Sequence, residues 1–128
     1  MTLHVALVVP DHELWAGQAT MIIAKTTEGD IGVLTGRAPM FGILAEGSIA
    51  EIIGEEITVR AAVSGGFLSV ADNKVSILAA QAQLGGEVDV AEARQELAAA
   101  LAEAVPGAED SPAVRYARAR LRAAGSQD

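Results

Sequence analysis

The chain has no cysteine and few aromatic residues, and both shortages limit what it is able to do. Its 128 residues include two phenylalanines, one tyrosine and one tryptophan, or 3% aromatic in all. Without cysteine, no disulfide holds the fold together and no thiolate is available for catalysis. Hydrophobic residues nevertheless make up 51% of the chain. We therefore expect one core built mainly from Val, Ile, Leu and Ala, in one domain or one small domain with an appendage.

Segments that would carry the chain into or across a membrane are also missing. No apolar run approaches the ~18 residues that a membrane-spanning helix needs. The first residues, MTLHVALVVPDHELW, lack the basic start and the small-residue cleavage site of a secretory signal. From these two absences we expect a soluble cytosolic chain.

Groups for catalysis, metals or phosphate are scarce. The histidines are His4 and His12, both near the amino end, and neither has a recognisable nucleophile and orienting partner. Ser64-Gly65-Gly66 lacks the strand–turn–helix context of a nucleophile elbow, so we interpret it as a turn between strands. GVLTGRAP lacks the lysine and the spacing of a phosphate-binding P-loop. No acidic cluster has calcium-loop spacing. The sequence predicts neither an enzyme nor a metal site.

Charge is distributed unevenly along the chain. The net charge is −8, which disfavours nonspecific nucleic-acid binding. Residues 115–128 hold four arginines and one acid, whereas the first 114 residues hold five basic and sixteen acidic residues. An acidic body therefore carries a basic tail.

The first eighty or so residues are typical of short strands. Alternation in LHVALVV places Leu3, Val5, Leu7 and Val9 on one face, and EITVRAAV places Ile57, Val59, Ala61 and Val63 on one face. Seven or more such segments, with glycine-rich connections and no helical pattern between them, predict an antiparallel β-sandwich. Asp72-Asn73 is predicted to form a tight hairpin turn.

From about residue 85 the composition favours helix. Asp89, with Glu92 three residues later, forms a variant of the capping box at the start of a first helix, and Pro106-Gly107 ends it. Asp110-Ser111-Pro112 begins a second helix that stops at Gly125. Its apolar stripe is Val114, Ala117, Leu121 and Ala124, while Arg115, Arg118 and Arg122 line another side and Arg120 sits apart. We predict a sandwich over residues 1–84 and a helical hairpin over residues 85–128.

Two features leave a structural and a functional interpretation open. EGDIGVLTGRAP (28–39) is either a connection in which Gly29 and Gly32 give turns their backbone freedom, or a surface that receives a partner. The arginine side of the second helix is either a solvated helix end suited to the macrodipole or a docking face for an acidic protein.

Four motifs in order resemble one known family. VVPDHELWAG, TTEGDIGVLTGRAP, SGGFLSVADNKVSILA and a hairpin beginning near VDVAEA are together similar to the epsilon subunit of the bacterial F-type ATP synthase. The resemblance implies a non-catalytic component of the rotary central stalk. Its sandwich would lie against the gamma subunit and the polar loops of the c-ring at the membrane's cytoplasmic face, coupling proton-driven rotation to ATP synthesis in the alpha/beta hexamer.

The resemblance also implies site residues. It assigns the 28–39 segment to the c-ring and gamma interface, with an acidic residue at Asp30; relatives have proline and histidine where this chain has Thr35 and Arg37. The predicted interface is Glu28, Asp30, Gly32, Gly36, Arg37, Ala38 and Pro39. The basic side of the second helix, Arg115, Arg118 and Arg122, would contact acidic beta-subunit segments and restrain ATP hydrolysis.

Some relatives bind ATP through a hairpin motif, Ile/Leu-Asp-x-x-Arg-Ala. Asp89 and Ala93 match this motif here, but Glu92 replaces its arginine. A carboxylate would repel phosphate, so we expect weak ATP binding or none and no other cofactor. Alternatives from other classes are a small-molecule-binding sandwich and a sandwich-plus-hairpin adaptor for an unrelated acidic protein.

Overall fold

The computed structural model describes residues 2–103 and 111–125. Ten strands form two five-stranded sheets packed face to face, which confirms the predicted sandwich. The strands are β1 Leu3–Val9, β2 His12–Ala19, β3 Met21–Thr26, β4 Gly29–Leu34, β5 Met40–Ile43, β6 Ser48–Ile53, β7 Thr58–Ser64, β8 Phe67–Ala71, β9 Lys74–Leu78 and β10 Gln81–Leu84.

The strand order departs from the predicted all-antiparallel sandwich at one pair. The first sheet runs β2-β1-β9-β8-β5 and the second β10-β7-β6-β3-β4. β1 pairs with β9 in parallel, whereas the other strand pairs of the described sheets are antiparallel. A short turn forces neighbouring strands to run in opposite directions, but no short turn joins β1 to β9. The predicted turn at Asp72-Asn73 joins β8 to β9, with φ values of 51° and 61°.

Alternating apolar residues fill the space between the sheets. Leu3, Val5 and Leu7 are buried, but a bulge between Leu7 and Val8 interrupts the alternation before Val9. Ile57 lies before β7 rather than in it and is exposed, so it does not share the buried face of Ala61 and Val63 as the alternation predicted. The core consists of Leu3, Val5, Leu7, Ala19, Ile22, Ala24, Val33, Leu44, Ala50, Ile52, Ala61, Val63, Leu68, Val70, Val75, Ile77 and Ala79.

Two helices follow the sheets. A 3-10 turn, Gly85–Glu87, leads into α1, Val90–Glu103, and α2 is Pro112–Ala123. Ser111 caps α2 as predicted, since its hydroxyl accepts a hydrogen bond from Val114 N–H at 3.3 Å. Gly125 follows the helix with φ +83°. The predicted stop at Pro106-Gly107, and Asp110, lie outside the described residues. That residues 1–84 and 85–128 are separate domains stays a prediction.

Candidate interaction surfaces

The 28–39 segment is a strand with a turn at each end rather than one loop. β4 occupies Gly29–Leu34 at the edge of the second sheet, and Gly32 pairs with Ile23 in mid-strand, so its predicted role in a turn is wrong. Gly29, at φ +125°, does sit at the β3–β4 turn. Exposed Glu28 and Asp30 therefore lie at the opposite end of β4 from the corner at residues 36–39, and the strand from Asp30 to Leu34 is ~13 Å long at ~3.3 Å per residue.

Residues 35–39 form a compact corner held by local hydrogen bonds. Gly36 has φ +80°, and its N–H donates to the Asn73 side-chain oxygen at 2.7 Å, which ties the corner to the β8–β9 turn. The Arg37 guanidinium donates to the Gly32 carbonyl at 3.3 Å and to the Met40 sulfur at 3.2 Å. Exposed Arg37 therefore folds back over β4. Gly36, Arg37, Ala38 and Pro39 are brought together on one side of a shallow depression.

An exposed apolar patch lies on the paired strands β5 and β8, and sequence analysis missed it. Phe41 and Phe67 stack with ring centroids 5.0 Å apart, and Ile43 is the cross-strand partner of Phe67. Phe41 is 64% exposed, and β5 is the edge strand of the first sheet. We call Phe41, Ile43 and Phe67 the phenylalanine patch. The available signal was that both phenylalanines of an aromatic-poor chain fall in turn-flanked β segments.

The second helix docks on the outer face of the second sheet through small residues. Ala119, Ala123 and Tyr116 of α2 pack with Ala62 and Ile49 on β7 and β6. Burial raises the pKa of the Tyr116 phenol, with Glu96 adding to the effect and Arg120 opposing it.

The predicted apolar stripe of α2 is only one of its two buried faces. Val114, Ala117 and Leu121 are buried. At ~100° per residue they lie on the opposite side of the helix from Ala119 and Ala123. α1 packs against α2, so the second helix has neighbours on both faces.

Two glycines permit the close approach of α2 to the sandwich. A methyl group on Gly47, which has φ +64°, would lie 2.7 Å from Tyr116 N and nearer still to Arg115. A methyl group on Gly85 would lie 2.7 Å from the Ala123 carbonyl carbon. Both distances are shorter than van der Waals contact, so side chains at these positions would displace the helix.

The predicted arginine side of α2 forms one wall of a groove. Arg115, Arg118 and Arg122 line it opposite residues of β3 and β6, and the groove has a volume of about 610 Å³. Arg115 lies 3.4 Å from the Glu46 carboxylate. Asp30 lines the same groove. The structure therefore groups Asp30 with the arginines of α2 and not with Arg37.

Arg120 is buried, and helical spacing had placed it away from Arg115, Arg118 and Arg122. Its guanidinium contacts Glu92 and Glu96 of α1 and Gln83 of β10. The sequence signal that could have found it is the (i, i+4) pair Glu92 and Glu96, which places two carboxylates on one face of α1.

The residues that match the ATP motif have structural roles. Asp89 Oδ1 accepts a hydrogen bond from Glu92 N–H at 3.1 Å, as an N-cap does. Ala93 is fully buried. Glu92 does not complete the capping box, because its side chain contacts Arg120.

Within residues 2–103 and 111–125, no helix is long and apolar enough to cross a membrane. The same residues contain no group of three or more His, Asp or Glu side chains placed to hold a metal ion.

The fold and these surfaces define a class of protein, a two-layer β-sandwich with a helical hairpin docked on one sheet. The family described as the β-sandwich domain of the ATP synthase delta/epsilon chain matches residues 2–85. The chain belongs to this ATP synthase epsilon-subunit family, which confirms the resemblance carried by the four motifs.

The similarity to known epsilon chains extends through the hairpin. The ATP synthase epsilon chain of Streptomyces coelicolor is 47% identical over 125 residues, covering 98% of this chain and 97% of that one. The Thermobifida fusca epsilon chain is 49% identical over 129 residues, covering 98% and 94%.

Solved structures of ATP synthases contain chains with the same fold. A chain in the Euglena gracilis mitochondrial ATP synthase, in a structure that includes F1 and the c-ring, superposes with a TM-score of 0.69 at 25% identity, covering 94% of this chain and 75% of that one. A chain in the central stalk and c-ring structure of the Tetrahymena thermophila enzyme has a similar fold, with a TM-score of 0.56 at 20% identity. The alternative of an unrelated adaptor finds no support in these similarities.

Proposed function

We propose that this chain is a non-catalytic component of the central stalk that couples proton-driven rotation of the c-ring to ATP synthesis in the alpha/beta hexamer. The observation that carries the proposal is its 47% identity to an epsilon chain over almost the full length of both chains. We place the protein at the cytoplasmic face of the bacterial cell membrane, attached peripherally through the gamma subunit and the c-ring.

The two ends of β4 suit two different partners. The phenylalanine patch adjoins the corner formed by residues 36–39, and exposed apolar surface beside polar residues is typical of a stable protein interface. We assign this region to the gamma subunit. Glu28 and Asp30, exposed at the other end of β4, are assigned to the polar loops of the c-ring.

Mixing the full chain with recombinant gamma subunit tests the first assignment. We expect one complex in gel filtration, and Phe41→Ala should weaken it by ~30-fold or more, the loss typical of an aromatic hot spot. Ile57→Ala is the matched control, because Ile57 is equally exposed at 67% but lies outside the patch, before β7.

Separate elution of the two wild-type proteins at micromolar concentration would contradict the stalk assignment. A Phe41→Ala variant that binds as tightly as the Ile57→Ala control would contradict only the assignment of the patch.

A regulatory role for the hairpin is the second proposal, and the arginine side of α2 favours it. Arg115, Arg118 and Arg122 share one side of the helix. Their three positive charges would attract an acidic segment of the beta subunit. The hairpin would then restrain ATP hydrolysis. Weak ATP binding or none remains the expectation for Asp89 and Ala93, because the neighbouring Glu92 carboxylate repels phosphate.

A further inference from the structure

The buried charge of Arg120 lies where α2, α1 and the sandwich meet. Its side chain is 7% exposed, and it is the only buried charged residue in the described parts of the chain. A buried guanidinium is costly unless its N–H donors are paired, since it loses the hydration it has in water. Arg120 therefore stays buried only if its partners provide hydrogen-bond acceptors and negative charge.

Those partners come from two other elements of the fold. Arg120 Nε donates to Gln83 Oε1 of β10 at 2.7 Å. Nη1 donates to the Glu96 carboxylate of α1, and Nη2 lies 3.6 Å from Glu92 Oε1 of the same helix. One side chain thus connects both helices of the hairpin to the edge strand of the second sheet.

Apolar packing makes a smaller contribution to this junction than it does to the core. The residues buried between α2 and the sheet are Ala62, Ala119 and Ala123, with Ile49 and Tyr116 packed at their margin. An alanine side chain buries much less apolar area than leucine or isoleucine, so it stabilises the contact less. Most of the apolar area of the fold is buried elsewhere, between the two sheets.

The two carboxylates differ from Arg120 in their exposure. The side chains of Glu92 and Glu96 are 59% and 52% exposed, so each keeps much of its hydration while it neutralises the arginine. Removing the carboxylates would leave an uncompensated buried charge, whereas removing Arg120 would leave two solvated carboxylates. Removing the carboxylates therefore costs free energy of docking, whereas removing Arg120 costs little.

We propose that Arg120, Glu92, Glu96 and Gln83 form an ionic latch that makes docking of the hairpin conditional on the two carboxylates of α1. The docked arrangement is then selected by the chain's own residues and needs no bound ligand. Opening the latch would expose a fourth arginine, on the side of α2 opposite Arg115, Arg118 and Arg122. An acidic partner segment that pairs with Arg120 would compete with Glu92 and Glu96, and this last step rests on the proposed function.

The test replaces both carboxylates in the full chain, Glu92→Gln with Glu96→Gln, and measures amide hydrogen exchange by NMR. α2 has 12 residues, too few for a stable isolated helix in water, so its amides lose protection when it leaves the sheet. We expect the amides of residues 116–121 to exchange tenfold faster or more, given the cost of an unpaired buried charge. Slow exchange in β1, β3 and β9 would show that the sandwich remains folded.

The matched control is Glu55→Gln with Glu56→Gln. It changes the net charge by the same amount at two exposed residues of the β6–β7 turn, and we expect exchange in α2 to be unchanged. A third variant adds Arg120→Met to the Glu92→Gln and Glu96→Gln pair. Because no buried charge then remains, protection of α2 should return to within about threefold of the wild type.

Two results would overturn the latch. One is wild-type exchange in α2 after both carboxylates are replaced. The other is fast exchange in α2 that Arg120→Met fails to reverse while the sandwich stays protected. Neither measurement involves another subunit, so failure of the latch leaves the stalk assignment untouched, and failure to bind gamma leaves the latch untouched.

Discussion

Gly47 shows how the docking of a whole helix depends on the absence of one side chain. It lies in the β5–β6 connection with φ +64°, and the backbone of α2 passes directly against it. At the other end of α2, the Ala123 backbone passes as closely against Gly85. Because Gly47 and Gly85 have no side chains, α2 is able to pack directly against the backbone at both positions.

We predict that Gly47→Ala releases α2 from the sheet. The new methyl group would collide with Arg115 and lie 2.7 Å from Tyr116 N, in addition to ~1–2 kcal/mol of left-handed backbone strain. Hydrogen exchange of the α2 amides measures the release. Gly36→Ala is the control, because Gly36 has a similar φ of +80° but no atom within 4 Å of an added Cβ. Equal protection of α2 in the two variants would show that Gly47 does not control docking.

The sequence predicted one apolar face for α2, and the structure shows two buried faces. Its 12 residues span ~18 Å, and its two buried faces contact the second sheet and α1. Its only tyrosine, which is also the only one in the chain, lies in the contact with the sheet and is partly buried. The ionisation of Tyr116 therefore reports on docking without any added label.

We predict that docking of α2 weakens at alkaline pH. Burial raises the pKa of Tyr116 in the docked state, so this state favours the neutral phenol. Its contribution to docking is fully present below the ordinary tyrosine pKa and is lost as pH rises through the raised value. Tyrosinate absorbance gives the pKa, and α2 amide exchange gives docking. Tyr116→Phe should keep α2 protected at a pH where the wild type releases it; identical pH profiles would contradict this.

At the scale of the whole molecule, the sandwich and the hairpin make unequal contributions to stability. Every residue of the main core lies between Leu3 and Ala79, whereas α2 meets the sheet through a separate, smaller cluster. The sandwich is therefore expected to fold without the hairpin. Regulation and coupling would then be separable functions of two parts of one chain.

We predict that removing residues 88–128 leaves a folded sandwich that binds the gamma subunit as tightly as the full chain. We expect the truncation to leave the phenylalanine patch and residues 36–39 unchanged, because none of them belongs to the cluster that packs α2 on the sheet. If the hairpin restrains hydrolysis, the ATPase rate of the reconstituted hexamer rises with the truncated chain. An unchanged rate with normal gamma binding would show that the hairpin is not an inhibitor here.

The sequence by itself determined the features that depend on residues close together in the chain. These include β1 at Leu3–Val9, the turn at Asp72-Asn73, the caps at Ser111 and Gly125, and the order of a sandwich followed by two helices. Each follows from side-chain alternation, positive φ or a local hydrogen bond, and these act over a few residues. The family motifs were recognisable for the same reason.

Only the tertiary structure decided which distant residues meet. The parallel pairing of β1 with β9, the stacking of Phe41 on Phe67 and the grouping of Asp30 with the arginines of α2 all depend on how distant elements pack. The burial of Arg120 is the clearest case, because its partners Gln83 and Glu96 lie 37 and 24 residues away. Helical spacing assigns a residue to a face, but the free energy of a charge on that face depends on which carboxylates the fold brings to it.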